Sequence, residues 1–192
     1  LKNNATVTGV KFENIERIGI FIWQGATAAI IDGNTYIGKG PGDHLDYGIE
    51  LGNGGVATIT NNTISGNTGQ AGDGSESAGI LATTLFGPGT QATITGNTIT
   101  GNTIGIVAGC CAAGDTSTVI AHFNRIVGNG TGIRSSEPAV NAENNWWGCN
   151  TGPNTLGCDT TVALGAGAVD SDPWIVLGTS ASPNLIPSLG SS

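Results

Sequence analysis

Side chains able to do chemistry are scarce in this chain, and most of them fall in two short stretches. Residues 38–47 (GKGPGDHLDY) hold Lys39, Asp43, His44 and Asp46, and residues 68–77 (TGQAGDGSES) hold Asp73 and Glu76. Three chemistries are open to such a set. Asp43, Asp46, Asp73 and Glu76 carry hard oxygen donors, which together with backbone carbonyls suit calcium. No other cofactor is suggested. Paired carboxylates would serve glycoside cleavage, and His44 would serve as a general base, so Asp43, His44 and Asp73 are the catalytic candidates. Plain turn formation is the alternative, because Asp and Gly are common loop formers and no spacing here matches an EF-hand loop or other metal-ligand motif.

The elements that must position these residues come from an internal repeat. ATITNNTISGNTG (57–69), ATITGNTITGNTIGI (92–106), VIAHFNRIVGNGTGI (119–133) and VNAENNWWGCNTG (140–152) align in one register. An apolar column reads Ile59, Ile94, Ala121, Ala142. Three residues on, an asparagine column reads Asn62, Asn97, Asn124, Asn145. Two further comes Ile64, Ile99, Ile126, Trp147, and three more gives Asn67, Asn102, Asn129, Asn150. An earlier coil runs through Ile31, Asn34 and Ile37, and a first through Val7, Val10 and Phe12.

Apolar residues alternating with Thr and Ser over short runs mean strands with one buried face. Gly and Asn break every run. Asparagine tolerates the left-handed conformation, and at one corner of successive coils its amides can bond up a ladder, satisfying buried backbone groups. The expected fold is therefore all-β, a single-stranded parallel β-helix of about six coils. At about 4.8 Å per rung it spans roughly 25–30 Å. The two acidic stretches leave neighbouring coils at one corner, which brings their ionisable groups together.

The chain resembles the bacterial secreted right-handed β-helix repeat proteins, relatives of the pectate-lyase-like solenoids. The most specific likeness is the segment Asn145-Trp146-Trp147-Gly148-Cys149, Gly152-Pro153, Cys158 and Asp172-Pro173-Trp174. The resemblance implies right-handed coils, closure of the solenoid by this segment, and a secreted, extracellular or cell-surface location. The expected organisation is coils over 1–153, a closing segment over 154–176 and a Ser/Pro/Gly-rich tail or linker over 177–192. Cys149 and Cys158 flank a short loop, where a disulfide would pin the closing segment; the alternative is two free thiols. Cys110 and Cys111 are adjacent, so a bridge between them would be strained; bridging to a neighbouring molecule and free thiols stay open. An even cysteine count favours an oxidising compartment.

Composition narrows the function. Gly (33), Thr (24) and Asn (18) make up 75 of 192 residues, while charged residues are 10% and the net charge is −8. Nucleic acid and anionic membrane surfaces are poor partners for such a chain, and no apolar run is long enough to span a bilayer as a helix. The outward positions Thr58, Thr60, Thr63, Thr93, Thr95 and Thr98 offer neither carboxylate nor arginine, which argues against a lyase site there. His122, Arg125 and Arg134 read as solitary surface charges. Trp23, Tyr36 and Tyr47 are candidate stacking residues. Trp147 falls in the inward column, where it would cap the core. Leu85, Phe86, Cys110, Cys111, Leu185, Ile186 and Leu189 form a candidate contact patch. The leading expectation is a non-catalytic extracellular structural solenoid, a surface or filament building block that self-associates through its ends and tail or joins neighbouring domains of a longer surface protein. The alternatives are a polysaccharide-binding or polysaccharide-degrading β-helix using the two acidic loops, and an adhesin segment.

Overall fold

The computed structural model describes residues 1, 4–110, 114–179 and 185–191, with backbone alone at 179 and 185–187. Three parallel sheets run along a solenoid. The first stacks Thr6–Thr8, Ala29–Asp32, Val56–Thr60, Gln91–Thr95, Thr118–His122, Val140–Asn141 and Val169–Asp170. The second stacks Lys11–Ile15, Thr35–Gly38, Thr63–Ser65, Thr98–Thr100 and Arg125–Val127. The third stacks Arg17–Ile22, Asp46–Leu51, Ala78–Ala82, Ile104–Ala108, Thr131–Ser135 and Thr161–Ala163. Five coils contribute one strand to each sheet; the sixth has a single bridge, Arg125 to Trp146, in place of a second-sheet strand, and Val169–Asp170 starts a seventh. The coils thus continue past 153, through Thr161–Ala163 and Val169–Asp170, further than the expected boundary.

Identical positions stack on one another, so one coil's sequence fills one layer of core. Ile31, Ile59, Ile94, Ala121 and Ala142 line the first sheet and are fully buried. Ile64, Ile99 and Ile126 line the second, ending on Trp147. In the second coil the inward residue is Tyr36, in register with Ile64, and not Ile37. Tyr36 is therefore core rather than a stacking platform. In the third sheet a Gly-Ile pair turns two successive residues inward. A Cβ at Gly48 would come within 2.8 Å of the Gly79 carbonyl, and one at Gly79 within 2.8 Å of the Gly105 carbonyl, so only glycine permits that approach.

The first ladder runs Asn34, Asn62, Asn97, Asn124, Asn145, with amide-to-amide distances of 3.0, 2.9, 2.9 and 3.0 Å. Each amide oxygen accepts from the backbone N–H and the side-chain NH2 of the asparagine one coil earlier. Each NH2 also donates to an inward residue's carbonyl in the preceding coil, as Asn97 does to Ile59 at 2.9 Å. Val10 opens this ladder through its backbone N–H alone.

The second ladder departs from expectation at its end. It runs Asn67, Asn102, Asn129 and then Asp159, not Asn150. Asp159 accepts from the Gly128 N–H at 2.6 Å, the Asn129 N–H at 3.1 Å and the Asn129 side chain at 2.7 Å. A carboxylate only accepts, and a last rung has no following rung to donate to. Asn150 is exposed and holds the next element instead, donating to the Leu177 carbonyl at 2.8 Å and accepting from its N–H at 2.7 Å.

The C-terminal end is closed by the chain itself. A disulfide joins Cys149 and Cys158. Trp174–Thr179 enters below the last second-sheet position, with the Ile175 N–H donating to the Asn145 carbonyl at 2.9 Å. It then pairs antiparallel with Leu185–Gly190, so the expected linker is half of a hairpin. The Trp174 indole N–H donates to the Asn150 carbonyl at 3.1 Å, and its ring lies against Gly152. At the other end Thr6–Thr8, Lys11–Ile15 and Arg17–Ile22 are each the outermost strand of their sheet, with Val7, Phe12 and Ile15 packed partly buried on the core.

Asp115 clips two loops between the third and first sheets. Its carboxylate accepts from the Thr83 hydroxyl and the Thr84 N–H at 2.8 Å each, and from the Ser117 N–H at 2.9 Å. Burial pushes this carboxyl up, but the hydrogen bonds outweigh burial and hold it below the usual range. A depressed folded pKa stabilises above the unfolded value of about 4, and that contribution is lost as pH falls through the folded value. Asp115→Asn is expected to cost about 1–3 kcal/mol at neutral pH, with the gap to the parent closing below about pH 3. Urea unfolding at the two pH values checks both parts.

Candidate functional site

The acidic loops stack as expected, but their charges diverge. The Gln70 N–H donates to the Gly42 carbonyl at 2.9 Å, and Gly69 and Gly72 lie against His44 and Asp43. Asp43 is exposed. Asp46 opens a third-sheet strand and turns inward, fully buried, accepting from the Tyr36 hydroxyl at 2.8 Å and the Lys39 N–H at 2.7 Å. Burial raises its pKa, partly offset by those bonds. Asp73 accepts from the Ser75 N–H at 2.9 Å in a local turn. Glu76 forms an ion pair with Arg134, two coils further on. Among the described residues no three His, Cys, Asp or Glu side chains gather as a metal cluster. His44, whose ring nitrogen Nε2 is buried without a partner, packs on loop glycines.

A cleft lies instead on the outer face of the third sheet. Strand alternation after each Gly-Ile pair points one residue per coil outward, which places Phe21, Glu50, Leu81, Val107 and Arg134 in one column. A second outer column reads Ile18, Tyr47, Ala78, Ile104 and Thr131. Their apolar members form a cluster outside the solenoid core, and the loop at 66–77 crosses it to reach Arg134. On either side of that crossing lie cavities of about 290 and 270 Å3, which share Tyr47, Ser75, Leu81 and Cys110. Glu50, Arg17 and Asp73 line the second.

Glu50 is the unusual group. It is 3% exposed, and among the described residues its Oε2 has no hydrogen-bond partner. Burial pushes its carboxyl up, and Arg17 partly restrains the rise. Arg17 holds a backbone φ of +80°, a strained value for a side chain of this size, and its guanidinium sits 5.7 Å above the Tyr47 ring. Burial raises the Tyr47 hydroxyl as well. Asp73 differs, because hydrogen bonds from Ser75 hold it below the usual carboxylate range. At the start of the column Phe21, Trp23 and Phe86 form a ring cluster with centroids 4.6 and 5.2 Å apart. Phe86 and Leu85 are 49% and 43% exposed.

Leu189 is exposed on the terminal hairpin, the Leu185 and Ile186 side chains fall outside the described ones, and Cys111, with any bond it makes, falls outside the described residues. His122 meets Asn141 at 2.6 Å on the first sheet, and Arg125 is exposed on the second. Glu50 and Arg17 carry no local sequence motif, and Arg134, expected to be a solitary charge, pairs with Glu76. The signal that finds the column is short: Gly-Ile-x recurs at 19–21, 48–50, 79–81, 105–107 and 132–134.

A buried carboxyl with a raised pKa stabilises below its unfolded value of about 4.3, and that contribution is lost as pH rises through the folded value. Glu50→Gln is thus expected to raise stability by about 1 kcal/mol at neutral pH, with the gain vanishing toward pH 4. Thermal unfolding across that range measures it.

Six stacked coils, two amide ladders and a cleft on one sheet define a parallel β-helix protein. The chain belongs to the right-handed β-helix family: the model of the right handed beta helix region matches residues 2–158. No curated protein and no solved structure matches the chain.

Proposed function

We propose that this chain is an extracellular, non-catalytic β-solenoid module that binds polysaccharide in the cleft along its third sheet. The observation that carries the proposal is the buried Glu50 carboxyl, its Oε2 without a hydrogen-bond partner among the described residues, beside the Arg17–Tyr47 pair. Sugar rings present hydroxyl donors along their edges and apolar C–H faces, which match a carboxyl acceptor set among Tyr47, Leu81 and Phe86. The disulfide supports an oxidising, extracellular setting.

Retention of the protein on a panel of immobilised polysaccharides tests it. Binding to at least one is expected, with loss in Tyr47→Ala. No retention on any of them would sink the proposal. A polysaccharide-degrading role is favoured by one observation: Glu50, pushed up, and Asp73, held down, line one cavity, as an acid and a base would. Release of reducing-end product, abolished by Asp73→Ala, would establish that role in place of simple binding.

A structural role in assembly is a second reading, since Thr6–Thr8, Lys11–Ile15 and Arg17–Ile22 are each the outermost strand of their sheet among the described residues while the hairpin packs on the last coil. Self-association would then run through the first coils and not head to tail. Light scattering over a concentration series, with proline placed in Thr6–Thr8, tests this: unchanged association in the variant would contradict it.

A further inference from the structure

Resting on the polysaccharide reading, we infer that the third-sheet cleft selects a glycan carrying free amino groups over neutral or acidic ones. Of the cleft's charged groups, Arg134 and Glu76 are paired with each other, whereas Glu50 and Asp73 have no ion-pair partner among the described residues. Arg134 is held in its ion pair with Glu76, and Arg17 lies over the Tyr47 ring. Glu50 has an unpartnered oxygen and is buried in the wall, and Asp73 is bonded only within its own turn. Two carboxylates therefore face one guanidinium across a cavity of about 270 Å3, on a chain of net charge −8.

A buried acceptor without a donor is costly, and a charged N–H donor is the group that relieves it most. An ammonium beside Glu50 would bond its Oε2 while its sugar ring covers Leu81 and Phe86. A uronate would bring a third carboxylate against the first two. A neutral N-acetyl sugar would offer an amide N–H but no charge.

Calorimetric titration with oligomers of glucosamine, N-acetylglucosamine and galacturonic acid decides the matter, in slightly acidic, low-salt buffer where the free amines are charged. The glucosamine oligomer is expected to bind at least about tenfold tighter than the other two, and added salt should shrink that margin. Glu50→Gln should abolish the preference, so that the glucosamine and N-acetylglucosamine oligomers bind alike. Asp73→Asn, outside the packed sheet, should reduce it and serves if Glu50→Gln folds poorly. Equal or tighter binding of the N-acetylated or acidic oligomer overturns the inference and leaves the polysaccharide proposal standing. Failure of all three to bind, together with no retention on the polysaccharide panel, overturns both.

Discussion

Asn97→Asp is expected to cost the fold about 3–5 kcal/mol at neutral pH, although it changes one atom. Asn97 is the middle rung of the first ladder and is almost fully buried. Its NH2 donates to the Ile59 carbonyl and the Asn124 amide oxygen, at 2.9 Å each. A carboxylate there would set an unpaired charge against these acceptors and the Thr95 carbonyl, the kind of uncompensated buried charge that costs several kcal/mol. The acceptor side of the ladder, from Asn62, would survive. The variant's carboxyl should titrate well above the usual range, so its stability should recover as pH falls and the group gains a proton to donate. Urea unfolding of parent and variant at pH 7 and pH 4 tests the cost and the recovery. A variant as stable as the parent at pH 7 would contradict the ladder account. The reciprocal change, Asp159→Asn, should cost only about 1 kcal/mol, because it loses one acceptor for the Gly128 N–H at the end of its ladder.

Trp147→Ala should be as damaging for a different reason. Trp147 is the largest fully buried side chain and closes the column of Ile64, Ile99 and Ile126. Truncating it opens a cavity at the core's last layer, worth about 3–5 kcal/mol. Among the described residues its indole N–H has no partner, so Trp147→Phe removes an orphaned donor along with some volume and should cost much less. Solenoid stability is a sum over neighbouring coils, so the loss should be local. Hydrogen exchange should quicken at 140–163 before it quickens at 57–82. Uniform acceleration along the chain would show the closing layer to be coupled to the whole rod.

The parallel coils were legible because identical residues recur at one spacing, and the first ladder could be read directly from its asparagines. Where sequence offers two neighbours for one role, the pattern alone misleads. Ile37 looks like the inward residue after Asn34, yet Asn34 plus two is Tyr36, and register decided it. Asn150 has the right distance from Asn145 for the second ladder, but the disulfide loop delays the corner until Asp159.

The site was less legible than the fold. Asp46 and Glu76 were seen as members of one acidic corner, but strand alternation buries Asp46 and sends Glu76 to a partner 58 residues away. Glu50 hides in a strand whose charge looks accidental until its neighbours in register, Phe21 and Leu81, are known. Single residues contributed by separate coils carry no local motif.

Both ladders point one way, each rung handing its protons to the next coil. That polarity makes the coil a unit that evolution can duplicate or delete. One inner rung can follow another, because Asn62, Asn97, Asn124 and Asn102 each take from the rung before and give to the rung after. Asp159 takes and does not give, so a coil copied after it would find no donor waiting. A single carboxylate acts as the full stop of the second ladder.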